Sequence, residues 1–234
     1  MTAVLLFLVV IAGIAGWWLS QQRLMSKPWL EQGPLTGVPG AGASSVPAVT
    51  IGLGVFLAVV GSLFALLISA YSLRMSLSDG QPLPAPKLLW VNTGALILSS
   101  AALHLAQVAA KRGDLGAVKA ALVVAAVSAL AFLAGQLLAW RQLTEAGYYL
   151  AANPASSFFY LITAIHGLHL AGGMVALGRT AGRAWSGVTT APIALGVKLC
   201  AVYWHFLLAL WLLLFFVLTG GGADFLAICR SLVT

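Results

Sequence analysis

Six apolar stretches, each bounded by charged or Pro/Gly-rich segments, constrain this chain more than any other feature of its sequence. They run from Ala3 to Leu19, Ala48 to Leu73, Leu88 to Ala110, Val118 to Ala139, Ala155 to Gly178 and Leu199 to Leu218. A helix needs roughly 20 apolar residues to cross about 30 Å of hydrocarbon, and these stretches have that length. Backbone polar groups in lipid must bond within their own segment, and no alternating strand pattern is present, so the expected fold is an all-α polytopic membrane protein of about six transmembrane helices. With 61% of 234 residues apolar and 7% charged, little chain is left for a soluble catalytic domain.

The punctuation between stretches gives the organisation. Residues 1–20 read as an N-terminal transmembrane helix: no basic residue precedes it, and Trp17-Trp18 stand where a signal peptide would carry small residues. Residues 21–47, with Pro28, Pro34, Pro39 and Pro47 among several glycines, read as a linker. A five-helix body at 48–222 and a short tail at 223–234 complete the chain, with an irregular crossing at Asp79–Pro86. No internal repeat is visible. Cys200 and Cys229 are too far apart for CxxC chemistry and read as small buried or interfacial residues.

The net charge of +7 does not point to nucleic acid, because the basic residues are scattered through the loops and form no phosphate-binding face. Sidedness explains them better. If the 21–47 linker is cytoplasmic, the inner loops hold Arg23, Lys27, Lys111, Arg112, Lys119, Arg179, Arg183 and Lys198, against Arg74, Lys87, Arg141 and Arg230 outside. This bias places both termini outside. Trp17, Trp18, Trp29, Trp90, Trp140 and Trp185 fall near span ends, where indole rings anchor in the headgroup zone. Trp204 and Trp211 lie inside the last span, seven residues apart and so on one face, and are expected against a neighbouring helix or lipid.

Ionisable groups within a membrane are costly, so each one is a candidate for function. All five acidic residues, Glu31, Asp79, Asp114, Glu145 and Asp224, fall in loops or at span ends, which argues against a pump or an ion-coupled transporter. Four histidines are intramembrane: His104, His166, His169 and His205. His166 and His205 lie near mid-membrane, which permits a bis-His haem and hence a membrane electron carrier. The alternative is that each imidazole hydrogen-bonds a polar group on a neighbouring helix. Asn92, Ser99, Ser100, Leu103, His104 and Gln107 form a polar stripe along the third span, Gln136 supplies an amide in the fourth, and Gly167, Gly172 and Gly173 allow helices to approach the fifth. On this reading His166, His169 and His205 share one polar cluster. No P-loop, HExxH or Ser-His-Asp pattern occurs.

Two stretches together resemble subunit III of the haem-copper terminal oxidases: Phe158-Phe159-Tyr160-Leu161-Ile162-Thr163-Ala164-Ile165-His166-Gly167-Leu168-His169-Leu170-Ala171-Gly172-Gly173, and Tyr203-Trp204-His205-Phe206 followed by Trp211. Asn92-Thr93 with Ser99-Ser100, Phe132 with Gln136, and Phe56-Leu57-Ala58 with Ala70-Tyr71 extend the resemblance from Ala48 to Leu218. It implies a non-catalytic subunit in a bacterial inner membrane, packed on the haem-bearing subunit I and beside subunit II. Such a subunit holds no haem, copper or other metal itself, binds phospholipid, assists oxygen access and sustains proton uptake while subunit I reduces oxygen to water. The residues expected to make structural, lipid or subunit contacts are Asn92, His104, Gln136, His166, His169, Trp204, His205 and Trp211. An accessory subunit of a nitric oxide reductase, or a lipid-binding scaffold, would have a similar body.

Two departures accompany the resemblance. Val60 stands where many members carry a membrane-embedded glutamate. Members of the common type have two helices ahead of the five-helix body and others none, whereas one is expected here.

The charge bias yields a labelling test. With Cys200 and Cys229 replaced by serine, an impermeant thiol reagent added outside reaches cysteines placed at Ser78 and Ser231 but not at Ser26. External labelling at position 26 means that the first span or the orientation is wrong.

Overall fold

The structure, a computed structural model, describes Gly13 and residues 47–75, 87–150, 153–186 and 190–219. Apart from Gly13 and Pro47, the expected first helix, linker and C-terminal tail lie outside the described residues. Five helices account for nearly everything described: α1 (Ala48–Met75), α2 (Leu88–Arg112), α3 (Leu115–Glu145), α4 (Pro154–Trp185) and α5 (Thr190–Leu218). Each is long and apolar enough to cross a membrane. They fall where the second to sixth apolar stretches predict them, most extending by a turn or more into the flanking polar sequence, because helix formation does not stop at the edge of hydrocarbon.

The chain divides into two compact units, residues 1–60 and 61–234. The first contributes the N-terminal half of α1, where Val60 is buried while Val49, Val55 and Val59 are exposed. In the second unit α2 packs on α3, α3 on α4, α4 on α5, and α5 returns to α2, so four helices close a bundle. The C-terminal half of α1 lies against α4: the Phe64 ring meets His166 and His169 edge-on, and the Tyr71 ring meets Phe158.

Local sequence explains the turns. Gly113 ends α2 in the left-handed conformation with φ 74°, its N–H donating to the carbonyls of Ala109 and Ala110, where a side chain would be strained. Asp114 then caps α3 by accepting from the Ala117 N–H at 2.9 Å. This two-residue reversal leaves α2 and α3 no freedom but to pack side by side. Asn153 caps α4 through the Ala155 N–H at 3.0 Å, with Pro154 in the first turn. The Tyr160 hydroxyl donates to the Tyr148 carbonyl at 3.0 Å and holds the α3–α4 connection down.

Inside the bundle Leu96, Leu103, Ala125, Phe132, Ile162, Leu170, Trp204 and Leu207 are sealed from the surface, while Leu105, Val127, Leu168 and Val175 face outward. Such an apolar exterior suits lipid as solvent. Close approach is tightest at two glycines. The Asn92 amide of α2 occupies the space that a Cβ at Gly135 would need. A Cβ at Gly173 would stand 2.6 Å from Tyr203 Cε1 and 2.9 Å from Trp204 Cζ3. The sequence expectation for the fifth span needs correcting here: a Cβ at Gly167 would meet Leu133 Cδ2 at an ordinary 3.7 Å, and one at Gly172 would face open space.

Gly173→Val therefore overpacks the α4–α5 contact, at a cost of about 1–3 kcal/mol, whereas Gly172→Val is tolerated. Thermal unfolding of the two variants in mild detergent separates them: Gly173→Val melts several degrees lower, and coincident melting curves would refute the packing argument.

Candidate functional site

The polar face of α2 is buried and meets groups on two neighbouring helices. Thr93 Oγ1 donates to the Leu89 carbonyl at 2.8 Å and accepts from Trp211 Nε1 at 2.9 Å. Ser99 Oγ donates to the Ala125 carbonyl of α3 at 2.8 Å and accepts from Trp204 Nε1 at 2.9 Å. Ser100 Oγ lies 2.6 Å from His205 Nδ1. Asn92 Nδ2 donates to Gln136 Oε1 at 3.4 Å. Moving up α2 from Thr93 to Ser100 moves down α5 from Trp211 to His205, so these bonds fix an antiparallel register between helices that are not sequence neighbours.

The second cluster lies on α4. His166 is fully buried, and its Nε2 donates to the Leu207 carbonyl of α5 at 3.2 Å. A carbonyl only accepts, so the ring carries its proton on Nε2 and Nδ1 is the bare acceptor. Trp211, Phe132 and Phe64 surround the ring with centroid distances of 5.1, 5.6 and 6.4 Å. His169, half-buried one turn on, donates from Nδ1 to the Ile165 carbonyl of its own helix at 2.8 Å, and its own carbonyl accepts from the Tyr203 hydroxyl at 2.8 Å.

The eight expected residues thus fall into three settings. Asn92, Gln136, Trp204 and Trp211 are buried in the α2–α3–α5 seam, with Trp211 also touching His166. His166 and His169 belong to the α4 cluster. His104 and His205 stand together on the outer surface, ring centroids 5.9 Å apart. The single cluster expected for His166, His169 and His205 does not describe this arrangement, because α5 turns His205 toward Ser100 and presents the Leu207 carbonyl to His166.

Sequence reasoning missed Thr163 and the role of Trp140. Trp140 Nε1 donates to Thr163 Oγ1 at 3.1 Å, linking α3 to α4 where an interfacial anchor was expected. A tryptophan near a span end carries no signal that separates these two uses. Thr93 stood in the quoted motif but not among the site residues, although its hydroxyl takes the Trp211 indole.

Among the described residues no three His, Cys, Asp or Glu side chains gather in a metal-binding group. Of the two histidines in the bis-His haem reading, His166 is enclosed by three rings and donates from Nε2 to a carbonyl, while His205 lies against Ser100.

Fold and site together define a polytopic helical membrane protein whose buried polar groups tie helices to one another. Comparison with known proteins names its family. The family model for cytochrome c oxidase subunit III matches residues 50–221. The cytochrome c oxidase subunit 3 of Thermostichus vulcanus is 32% identical over 176 residues, 72% of this chain and 85% of that protein. A probable cytochrome c oxidase subunit 3 of Mycobacterium tuberculosis is 32% identical over 126 residues, 54% of this chain and 62% of that protein. The cytochrome bo(3) ubiquinol oxidase subunit 3 of Pseudomonas aeruginosa is 26% identical over 166 residues, 69% of this chain and 79% of that protein. The chain belongs to the cytochrome c oxidase subunit III family.

The register argument is testable by a double-mutant cycle on Thr93→Val and Trp211→Phe. Hydrogen bonds between membrane helices couple by about 0.6 kcal/mol on average, reaching about 1.7, and a buried pair at 2.9 Å falls in that range. Unfolding in mixed detergent micelles measures the coupling, and strictly additive effects would mean that the bond contributes nothing.

Proposed function

We propose that this chain is the non-catalytic third subunit of a bacterial respiratory haem-copper oxidase. It packs on the haem-bearing subunit I beside subunit II in the inner membrane, binds phospholipid, and sustains oxygen access and proton uptake while oxygen is reduced in subunit I. In this reading residues 1–20 form an additional membrane helix, 21–47 a linker, 48–222 the subunit III body and 223–234 a tail. The observation that carries the proposal is the seam itself. His166, His169, His205, Trp204 and Trp211 are the residues of the family-like motifs, and each hydrogen-bonds a hydroxyl or a backbone carbonyl inside the chain. Side chains used this way shape a body; they do not handle electrons.

Lipid binding draws support from an apolar groove of about 350 Å³ between α3 and α4, lined by Trp140, Thr144, Leu150, Tyr160, Leu161 and Ala164. Its apolar lining suits an acyl chain, and Trp140 and Tyr160 supply the amphipathic rings favoured near headgroups. Proton uptake cannot use the family's membrane glutamate here, since Val60 occupies that position. The relatives include both a cytochrome c oxidase and a ubiquinol oxidase subunit, so either electron donor is compatible with this body.

Purification through a tag on this chain in mild detergent tests the reading. A haem-bearing subunit and oxygen reduction co-purify with it, while the chain freed of partners gives no pyridine haemochrome signal. His166→Leu lowers retention of the chain in the complex or shortens turnover lifetime, and complexes that keep it start at near wild-type rates. One equivalent of haem b in the isolated chain, lost on His166→Leu, would overturn the proposal.

A further inference from the structure

α1 stands apart from the other four helices. Along its most apolar stretch 11% of residues are buried, against 33–44% in the rest. Its C-terminal half has ring contacts to α4 through Phe64 and Tyr71. Its N-terminal half turns Val49, Gly52, Val55 and Val59 outward at helical spacing, and a Cβ at Gly52 would meet nothing within 4 Å. In lipid an exposed valine calls for no partner by itself. The division into units does, because it falls inside this continuous helix: residues 48–60 of α1 group with the chain before them, and the remainder groups with the bundle.

That preceding chain holds the first apolar stretch, Ala3 to Leu19, and the 21–47 linker. Two lengths match. At about 1.5 Å per residue a helix of residues 3–19 is roughly 25 Å long and α1 roughly 42 Å, so the first, returning from the linker end, runs beside α1 only to about Phe64. The unit boundary at Val60 lies one turn short of that point. As a flexible coil the linker spans roughly 30 Å and keeps the two helices at a local concentration of millimolar order. A second copy or a separate helix has no such tether. We infer that a helix of residues 3–19 packs antiparallel on the outward face of residues 48–60 of α1, with Gly16 against Gly52, Ala12 against Val55 and Val9 against Val59. The inference rests on reading residues 1–20 as a membrane helix. Ala12 and Gly16 stand one turn apart on one face, and Gly52 is as small, so the backbones approach closely at the linker end.

Disulfide trapping in native membranes tests the assignment on the full chain, with Cys200 and Cys229 replaced by serine and a protease site inserted in the linker. Three double variants are oxidised with copper phenanthroline and then cleaved: Gly16→Cys with Gly52→Cys, Val9→Cys with Val59→Cys, and Gly16→Cys with Leu168→Cys on the exposed side of α4. The first two are expected to hold the fragments together until reductant is added, and the third to release them. Release from both of the first two, trapping by the third, or dimers of the whole chain in place of the intramolecular bond would each overturn the inference. Impermeant labelling of a cysteine at Ser26 separates the two ways of failing. Released fragments with position 26 shielded from outside sink the helix pairing alone, whereas external labelling of position 26 sinks the membrane-helix reading with it.

Discussion

Helices in lipid feel no hydrophobic force toward one another, because a leucine gains nothing by leaving acyl chains for another leucine. What selects one arrangement must be close packing plus polar groups that lipid cannot satisfy. In this chain the constraint converges on Ser99. Its hydroxyl donates to the Ala125 carbonyl of α3 and accepts from the Trp204 indole of α5, so one oxygen joins three helices. Six residues earlier Thr93 accepts from the Trp211 indole in the same way, while donating to the Leu89 carbonyl of its own helix. Two indoles spaced by seven residues meeting two hydroxyls spaced by six leave α5 one register against α2, since slipping by a turn would strand both indole N–H groups.

The aromatic packing follows from that register. Once Trp211 is fixed by Thr93, its ring lies across Phe132 at 4.9 Å and 90°, and beside His166 at 5.1 Å. His166 then reaches the Leu207 carbonyl, which draws α4 onto α5. Gly173 completes the contact by leaving room for Tyr203 and Trp204. The order of dependence runs from hydroxyl to indole to ring stack to imidazole, so a change at Thr93 propagates to α4 although the two do not bond each other.

Much of this was legible in the sequence for identifiable reasons. The helices were legible because hydrocarbon demands about 20 apolar residues and tolerates few charges. The polar face of α2 was legible because Asn92, Ser99 and Ser100 recur at helical spacing; Trp204 and Trp211 were legible as one face within a span, whereas the choice between a helix and lipid as its neighbour was not. Partner identity was not legible. Spacing says that His205 and His166 share a depth, but the rotation of α5, which sends one to Ser100 and leaves the other to a backbone carbonyl, depends on tertiary packing. The acceptor at Leu207 is a main-chain atom and leaves no trace in the side-chain pattern. Trp140 shows the same limit, because an indole near a span end reads alike whether it meets headgroups or Thr163.

The histidines also separate two roles that composition alone merges. His166 is enclosed, its donor bonded and its ring stacked, so replacing it opens a cavity and removes the hydrogen bond to the Leu207 carbonyl that ties α4 to α5. His104 and His205 lie at the surface, their ring centroids 5.9 Å apart, with Ser100 Oγ against His205 Nδ1. A buried imidazole held in this way acts on the stability of the body. Because Ser100 holds His205 while its neighbour Ser99 holds Trp204, adjacent residues of α2 anchor the inner seam and the outer pair. Rotation of α5 about its axis would disturb both at once, which couples the inner packing of the bundle to the geometry of the outer pair.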